Sequence, residues 1–212
     1  MRSMIVLGSL VVLATATAAT ADITGVPLGT AAPPATLGPF TMTPFPLDDR
    51  SLGSDVTSVP SPLGGSVDFS IPLNHVRIGQ GWAMWSDGYT DDVYYTNGAT
   101  AVTLDLPADT GAFYLYAEPA PFATFTIRAT ASDGTFVEQA VAGEAGAAGY
   151  GFYATSGQVL SSIAVTSSID FAAGEFGIAT TTTVAVIPAP AALLLGTLGA
   201  GMVRWLRRRK VL

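Results

Sequence analysis

The chain has 212 residues, with nine Lys or Arg, sixteen Asp or Glu and a formal net charge of −7. It contains no cysteine, which excludes a disulfide framework, a cysteine nucleophile and zinc sites built from cysteine. All sixteen acids but only three basic residues, Arg50, Arg77 and Arg128, lie between residues 22 and 186, so this part carries a charge of −13, which repels phosphate and excludes nucleic-acid binding.

Residues 1–21 are predicted to be a signal peptide. Arg2 gives a basic start, residues 5–14 are apolar, and Ala19 and Ala21 form the small-x-small site that signal peptidase cleaves. The apolar stretch is too short to cross a bilayer comfortably, which disfavours the alternative of an uncleaved N-terminal anchor. The mature chain is therefore expected to begin at Asp22 and to be exported.

Residues 22–62 are predicted to be a Pro-rich extended segment. They hold eight of the fourteen prolines of the chain. Proline lacks the N–H that a strand ladder needs and does not fit a helix interior. We therefore expect an irregular chain or spacer here, with the folded domain beginning at residue 63.

Residues 63–182 are predicted to form an all-β domain, an antiparallel β-sandwich. Short runs of β-branched and aromatic residues recur between turn sequences, and Asn97-Gly98 and Asp133-Gly134 are typical of two-residue hairpins. No stretch of ten or more residues shows clear helical periodicity without glycine. Nine strands are expected, at residues 66–71, 93–96, 101–106, 112–117, 123–131, 135–141, 149–154, 160–166 and 176–180.

Two of these strands differ in their expected depth. Residues 113–117 carry apolar or aromatic side chains on both faces, which indicates a central strand covered on each side. In residues 125–130, apolar side chains alternate with Thr and Arg, which indicates a sheet with one face in water.

One aromatic loop contains the candidate carbohydrate-binding residues Trp82, Trp85 and Tyr89. An aromatic ring can cover the apolar face of a pyranose while neighbouring polar groups bind its hydroxyls. Alternatively, the two tryptophans close the end of the sandwich core.

The same loop contains three acids, Asp87, Asp91 and Asp92, which are candidate Ca²⁺ ligands. Ca²⁺ takes six to eight oxygen ligands, and Asp170 and Glu175 are candidates to complete the set from a distant strand. Alternatively, these carboxylates are simply solvated, and no cofactor is required.

Catalysis has little support in the sequence. His75 is the only histidine, so any Ser-His-Asp triad depends on it, and no Gly-x-Ser-x-Gly motif occurs. A pair of catalytic carboxylates for glycoside hydrolysis remains an alternative, because such residues come together in the fold and need not be close in the sequence. We expect a protein that is not an enzyme, with a secreted hydrolase as the least favoured alternative.

The C-terminal segment, residues 183–212, has three parts. Pro188, Ala189 and Pro190 belong to a proline-marked motif at residues 187–190, and the apolar residues 191–206 are predicted to form a transmembrane helix. A basic end at residues 204–210 would hold its side of the helix in the cytoplasm. The basic residues are Arg204, Arg207, Arg208, Arg209 and Lys210.

These three parts resemble the PEP-CTERM sorting signal of Gram-negative bacteria, with Ala189 where the common motif has Glu. The resemblance implies recognition by an exosortase, which is a membrane transpeptidase, and cleavage near residues 188–190. It also implies loss of the helix and delivery of the body to the cell envelope, the surface or the medium. The alternative is an ordinary single-pass anchor that stays in the membrane.

The body resembles a β-sandwich that is common among PEP-CTERM proteins, on the aromatic and glycine-rich stretches at residues 81–89, 113–119, 149–153 and 171–178. The resemblance implies a jelly roll of the galactose-binding-like kind. We therefore expect an exported, non-catalytic protein of the cell surface or extracellular matrix. The alternative function is a displayed carbohydrate-binding module that contacts extracellular polysaccharide.

Overall fold

The computed structural model describes residues 22–155 and 157–181, which contain strands and no helix. The predicted all-β class is confirmed for this part of the chain. Across these two ranges no helical segment has the length and apolar character needed to cross a bilayer. The predicted signal peptide and the predicted sorting tail, with its motif, helix and basic end, lie outside the described residues.

Fifteen strands follow one another in the described chain. They are β1 (Ile23–Gly29), β2 (Thr36–Leu37), β3 (Phe40–Thr41), β4 (Thr43–Pro44), β5 (Asp55–Pro60), β6 (Ser66–Ile78), β7 (Gly81–Trp82), β8 (Asp92–Tyr95), β9 (Ala101–Asp105), β10 (Thr110–Pro119), β11 (Thr124–Ala131), β12 (Phe136–Ala142), β13 (Ala148–Ala154), β14 (Ser162–Ser167) and β15 (Phe171–Thr180). Each of the nine predicted strands corresponds to one of them, namely β6 and β8 to β15.

Thirteen of these strands belong to one large sheet, while β2 pairs with β3 in a separate small one. The main path of the large sheet runs β1-β13-β10-β15-β8-β6-β9-β14-β11-β12, and β4, β5 and β7 pair to its side. The pairings are antiparallel, except that β6 and β7 pair in parallel over two residues.

Strand β6 carries this sheet from one layer to the other. Asp68 and Phe69 pair with β9, whereas residues 74–76 pair with β8. Between these two parts the register of β5 against β6 slips, and Pro72 lies in the slipped stretch, where no ladder donor is needed. The layers are thus two parts of one sheet, packed face to face around a shared core in a sandwich-like arrangement.

The two ends of the main path meet, which makes the sheet nearly barrel-like. The N–H of Ile23 donates to Oδ2 of Asp133 at 3.4 Å, and the hydroxyl of Thr135 donates to the carbonyl of Ile23 at 3.2 Å. Gly25 of β1 lies so close to Val137 of β12 that an added Cβ would be 2.8 Å from its methyl group. Side-chain contacts, rather than a backbone ladder, close this seam.

Residues 22–62 are extended, but they are part of the folded unit. β1 pairs with β13, β4 with β15 and β5 with β6. The prolines fit because they occupy edge or irregular positions; Pro27, for example, stands beside a register shift in a strand that has one ladder partner. The start predicted at residue 63 therefore does not mark the beginning of the fold.

The two predicted hairpin turns have different outcomes. Asn97 and Gly98 adopt the expected positive φ values of 50° and 93°, but the flanking β8 and β9 each pair with β6 and not with each other. Strands β11 and β12 do form a hairpin, yet of Asp133 and Gly134 only the glycine has a positive φ. A short turn reverses the chain locally, but it does not decide which strands become neighbours.

Apolar side chains form two clusters on opposite faces of β10, β13 and β15. The inner core, which includes Phe113 and Phe152, fills the space between the layers. The outer cluster includes Tyr114, Tyr116 and Trp85, and residues of the N-terminal segment cover part of it. β10 is buried along its whole length and β11 alternates between exposed and buried positions, so both predictions of strand depth are confirmed.

Candidate functional site

The segment after β6, which includes β7 and the loop that follows it, brings two tryptophans onto two acids of the central strands. Trp82 donates its indole N–H to Oε2 of Glu118 at 2.8 Å. Trp85 donates its indole N–H to Oε2 of Glu175 at 2.9 Å. Glu118 belongs to β10 and Glu175 to β15, so two tryptophan–glutamate pairs lie on neighbouring strands.

The backbone explains why both acids reach this side of the sheet. Side chains alternate along β10, so Glu118 shares the outer face with Tyr114 and Tyr116. Glu175 has a φ of 50° and stands where the pairing of β10 with β15 slips. This bulge inserts an extra residue, so that Glu175 turns to the outer face while Phe176 stays in the inner core.

Both carboxyl groups lie in surroundings that favour their protonated form. Glu118 is 1% exposed, and burial raises its pKa to about 7, although the hydrogen bond from Trp82 opposes the rise. Burial also raises the pKa of Glu175 to about 7, against the bond from Trp85 and with help from two nearby aspartates. Glu118 stands opposite Ala172, three positions before Glu175, and each glutamate is bonded to a different tryptophan.

A pocket of about 270 Å³ opens beside Trp82, and its lining includes Tyr95, Glu118 and Phe122. The ring centroids of Trp82 and Tyr95 are 5.3 Å apart, with the ring planes at 51°. The hydroxyl of Tyr95 donates to Asp170, which raises the pKa of Tyr95 to about 12. Phe122 is 65% exposed. The indole N–H of Trp82 and the hydroxyl of Tyr95 are already hydrogen-bonded. The side chains of the lining therefore offer a ligand three aromatic rings and the carboxyl group of Glu118.

The three candidate sugar-binding residues do not share one exposed surface. Trp82 lines the pocket, whereas Trp85 is buried and packs with Tyr89 in the outer cluster, at a centroid distance of 6.3 Å. The hydroxyl of Tyr89 donates to the carbonyl of Asp92 at 3.0 Å. Trp85 thus packs as the alternative expected, but on the outer face of the sheet rather than at the end of the core.

The candidate Ca²⁺ ligands are separated in the same way. Asp87 and Asp91 are exposed, and Asp92 is buried. The charges of Asp87 and Asp91 act on Glu175, but within residues 22–155 and 157–181 no group of three His, Cys, Asp or Glu side chains is placed to hold a metal ion. Glu175, which was named only as a candidate to complete the set, therefore lies near Asp87 and Asp91, but these described residues do not form a metal site.

Asp92 is instead the centre of a buried polar network. Its Oδ1 accepts Nε of Arg77 at 2.8 Å and lies 3.0 Å from Nε2 of His75, while its Oδ2 accepts the N–H of Asp48 at 2.7 Å. His75 is fully buried, stacks on Tyr94, and has no hydrogen-bond partner at Nδ1. In a Ser-His-Asp triad the aspartate bonds Nδ1 and the serine bonds Nε2, whereas here Asp92 occupies Nε2 and no described residue bonds Nδ1.

A second network joins Asp48, Arg50 and Tyr94. Nε of Arg50 donates to Oδ1 of Asp48 at 2.8 Å, and the hydroxyl of Tyr94 donates to Oδ2 at 3.1 Å. Burial acts to raise the pKa of Asp48, but the hydrogen bonds from Arg50 and Tyr94, together with the charge of Arg50, outweigh it and lower the pKa to about 2. Asp48 and Arg50 line a pocket of about 430 Å³. Because Arg50 is already paired, this pocket offers little to an anionic ligand.

Sequence reasoning missed Glu118 and Phe122 as site residues. One signal was available, because Glu118 is an acid in an otherwise apolar strand, and a buried acid needs a partner. Its partner Trp82 lies 36 positions away, and no local pattern connects the two.

Compared with protein-family models and with curated proteins, the chain matches none.

Proposed function

We propose that the protein is an exported, non-catalytic component of the cell surface or extracellular matrix. Its C-terminal segment acts as a PEP-CTERM-like signal that anchors the chain in the membrane until an exosortase-like transpeptidase processes it. The sandwich-like body, for which we propose a jelly-roll connectivity of the galactose-binding-like kind, is the displayed module. The signal-peptide pattern at residues 1–21 and the motif at residues 187–190 support this route.

The charge of the body is the observation that carries the proposal. Its three arginines are each bonded to a carboxylate, in the pairs Arg50–Asp48, Arg77–Asp92 and Arg128–Glu138. The remaining acids are uncompensated, so the surface repels nucleic acid and anionic lipid and stays soluble through self-repulsion. These properties suit a module held in solvent outside the cell.

The arrangement of the ionisable groups supports a protein without catalytic activity over a secreted hydrolase. His75 is buried and bonded to Asp92, and Glu118 and Glu175 are each hydrogen-bonded to a different tryptophan. A carbohydrate-binding module ranks second. A sugar platform needs several free polar groups around an exposed ring, whereas among the side chains of the pocket beside Trp82 only one carboxyl oxygen, Oε1 of Glu118, is free.

Mass spectrometry of the mature chain, recovered from cells that produce it naturally, tests the proposal. We expect a chain that begins at Asp22 and ends near residues 188–190. Replacing both Pro188 and Pro190 by Ala should leave the C-terminal segment attached, whereas Pro62→Ala, an exposed turn position, should leave processing unchanged. Recovery of the intact chain from residue 1 to residue 212 would contradict the proposal.

A further inference from the structure

We propose that the pocket beside Trp82 binds a small organic cation of the quaternary-ammonium class, the class to which choline belongs. The proposal rests on the chemistry of the pocket lining and not on export. It can therefore fail or succeed separately from the proposed function, whichever terminal segments the mature chain retains.

The aromatic residues supply the first part of the argument. Trp82 and Tyr95 meet at 51° and form two walls of a corner, and Phe122 lines the same space. Neither apolar cluster of the fold includes Phe122, whose side chain is 65% exposed. A quaternary ammonium group is attracted to such ring faces within about 6 Å, because the ring quadrupole presents negative charge there.

Glu118 supplies the second part of the argument, because it has no basic partner among the described residues. In the described part of the chain every basic side chain is committed elsewhere, in the pairs Arg50–Asp48, Arg77–Asp92, Arg128–Glu138 and His75–Asp92. Oε2 of Glu118 accepts the indole N–H of Trp82, and no described residue donates to Oε1. An ionised carboxyl group buried without a cation is unfavourable, so a bound cation would supply the charge that the fold lacks.

The same lining disfavours other ligands. A pyranose has many hydroxyl groups, and a primary ammonium has three donors, but the one free carboxyl oxygen of Glu118 cannot satisfy either set. An anion would be repelled by Glu118 and by the body charge of −13. A volume of about 270 Å³ is below the roughly 300–1,000 Å³ that drug-sized ligands occupy, which fits a compact head group.

Isothermal titration calorimetry on the purified full-length protein tests the proposal, with choline chloride as the ligand at constant ionic strength. The neutral tert-butyl analogue of choline, which has the same shape without the charge, is the matched control ligand. We expect choline to bind with a Kd of about 1 mM or tighter, and the neutral analogue to bind at least about tenfold more weakly.

Two variants separate the two parts of the lining. Glu118→Gln keeps an acceptor for Trp82 but removes the charge, so choline should bind about tenfold more weakly while the neutral analogue is unaffected. Phe122→Ala should weaken choline about fivefold, and because Phe122 is exposed the fold should tolerate the change. Phe136→Ala removes a comparably exposed phenylalanine outside the pocket and should change neither affinity.

Equal affinity for choline and its neutral analogue would overturn the proposal, since it would mean that apolar contact alone fills the pocket. Absence of choline binding up to about 50 mM would overturn it as well. Binding of glucose that Phe122→Ala abolishes, without choline binding, would assign the pocket to carbohydrate instead.

Discussion

Glu118 and Glu175 each place an ionisable group among apolar side chains, and each accepts a hydrogen bond from a tryptophan. A neutral amide or an apolar side chain would avoid the cost of burying a charge. The result is a folded state that holds two protons more tightly than the unfolded chain does. The stability of the fold should therefore depend on pH in a range where ordinary carboxyl groups have finished titrating.

Stability should fall as pH rises from about 5 to about 8. The pKa of both carboxyl groups is raised from 4.5 to about 7 in the folded state, so between these values the folded chain binds more protons and unfolding becomes easier with rising pH. Each group should contribute on the order of 2 kcal/mol to this loss. Urea unfolding at several pH values measures the effect.

Glu118→Gln and Glu175→Gln should each flatten this pH dependence, and Glu144→Gln, at an exposed position, should leave it unchanged. A pH profile that all three variants share with the unmodified protein would contradict the assignment. Below about pH 4 the opposite trend should appear, because Asp48 has a lowered pKa of about 2 and loses its bonds to Arg50 when it is protonated.

The outer faces of β13 and β15 are built from glycines that lie under aromatic rings. A Cβ added to Gly177 would be 2.1 Å from the ring of Tyr114, and one added to Gly149 would be 2.6 Å from the ring of Tyr116. These rings can lie flat on the sheet only because the neighbouring strands have no side chain there. The glycine positions therefore fix how the outer cluster packs on β10.

Gly177→Ala should destabilise the fold by about 1–3 kcal/mol, because a buried ring must move to make room. Gly151→Ala is the matched control in the neighbouring region, since its Cβ would meet the flexible methyl groups of Leu37 at 3.0 Å, and it should cost less. Denaturant midpoints of the two variants provide the comparison. A larger loss for Gly151→Ala than for Gly177→Ala would show that the rings are not held in this way.

Runs of β-branched and aromatic residues between turn sequences predicted the positions of nine strands, because such runs reflect burial on one or two faces of a strand. The same reasoning was wrong where the pairing of strands in the fold overrides what a single residue in the sequence indicates. Pro27 argued against a strand, yet it lies in β1 at a position that needs no donor. The strand predicted at residues 66–71 continues to Ile78, and Pro72 lies where this strand crosses between layers. Sequence reasoning named Trp82 as a site residue but did not connect it with Glu118 and Phe122, because only the tertiary fold brings β10 and the loop that follows it next to Trp82.

The excess of acids acts on the whole body, because its three arginines are each neutralised by a bonded carboxylate. Repulsion among the remaining acids opposes the compact state at low ionic strength. Salt at 0.1 M largely screens the repulsion between exposed charges that are more than about 10 Å apart. Added salt should therefore stabilise the fold without binding to any site.

Raising NaCl from about 10 mM to about 300 mM should raise the melting temperature of the protein by a few degrees. CaCl₂ at matched ionic strength should raise the melting temperature by a similar amount. A chelator should not lower the melting temperature measured in NaCl. Both expectations follow because Asp87, Asp91 and Asp92 are not gathered into a metal site. Differential scanning calorimetry measures both effects. A further large rise specific to Ca²⁺ would indicate a tight site and contradict this expectation.

Strand β1 finds its ladder partner in β13, so residues near the beginning of the body pair with residues more than a hundred positions later. As the ribosome releases the chain from its N-terminus, Ile23–Gly29 must wait without a partner until Ala148–Ala154 has appeared. Such a distant pairing makes loop closure slow. Folding is therefore completed only after almost the entire body has been synthesised. Until then the chain is unfolded enough to pass through a narrow channel.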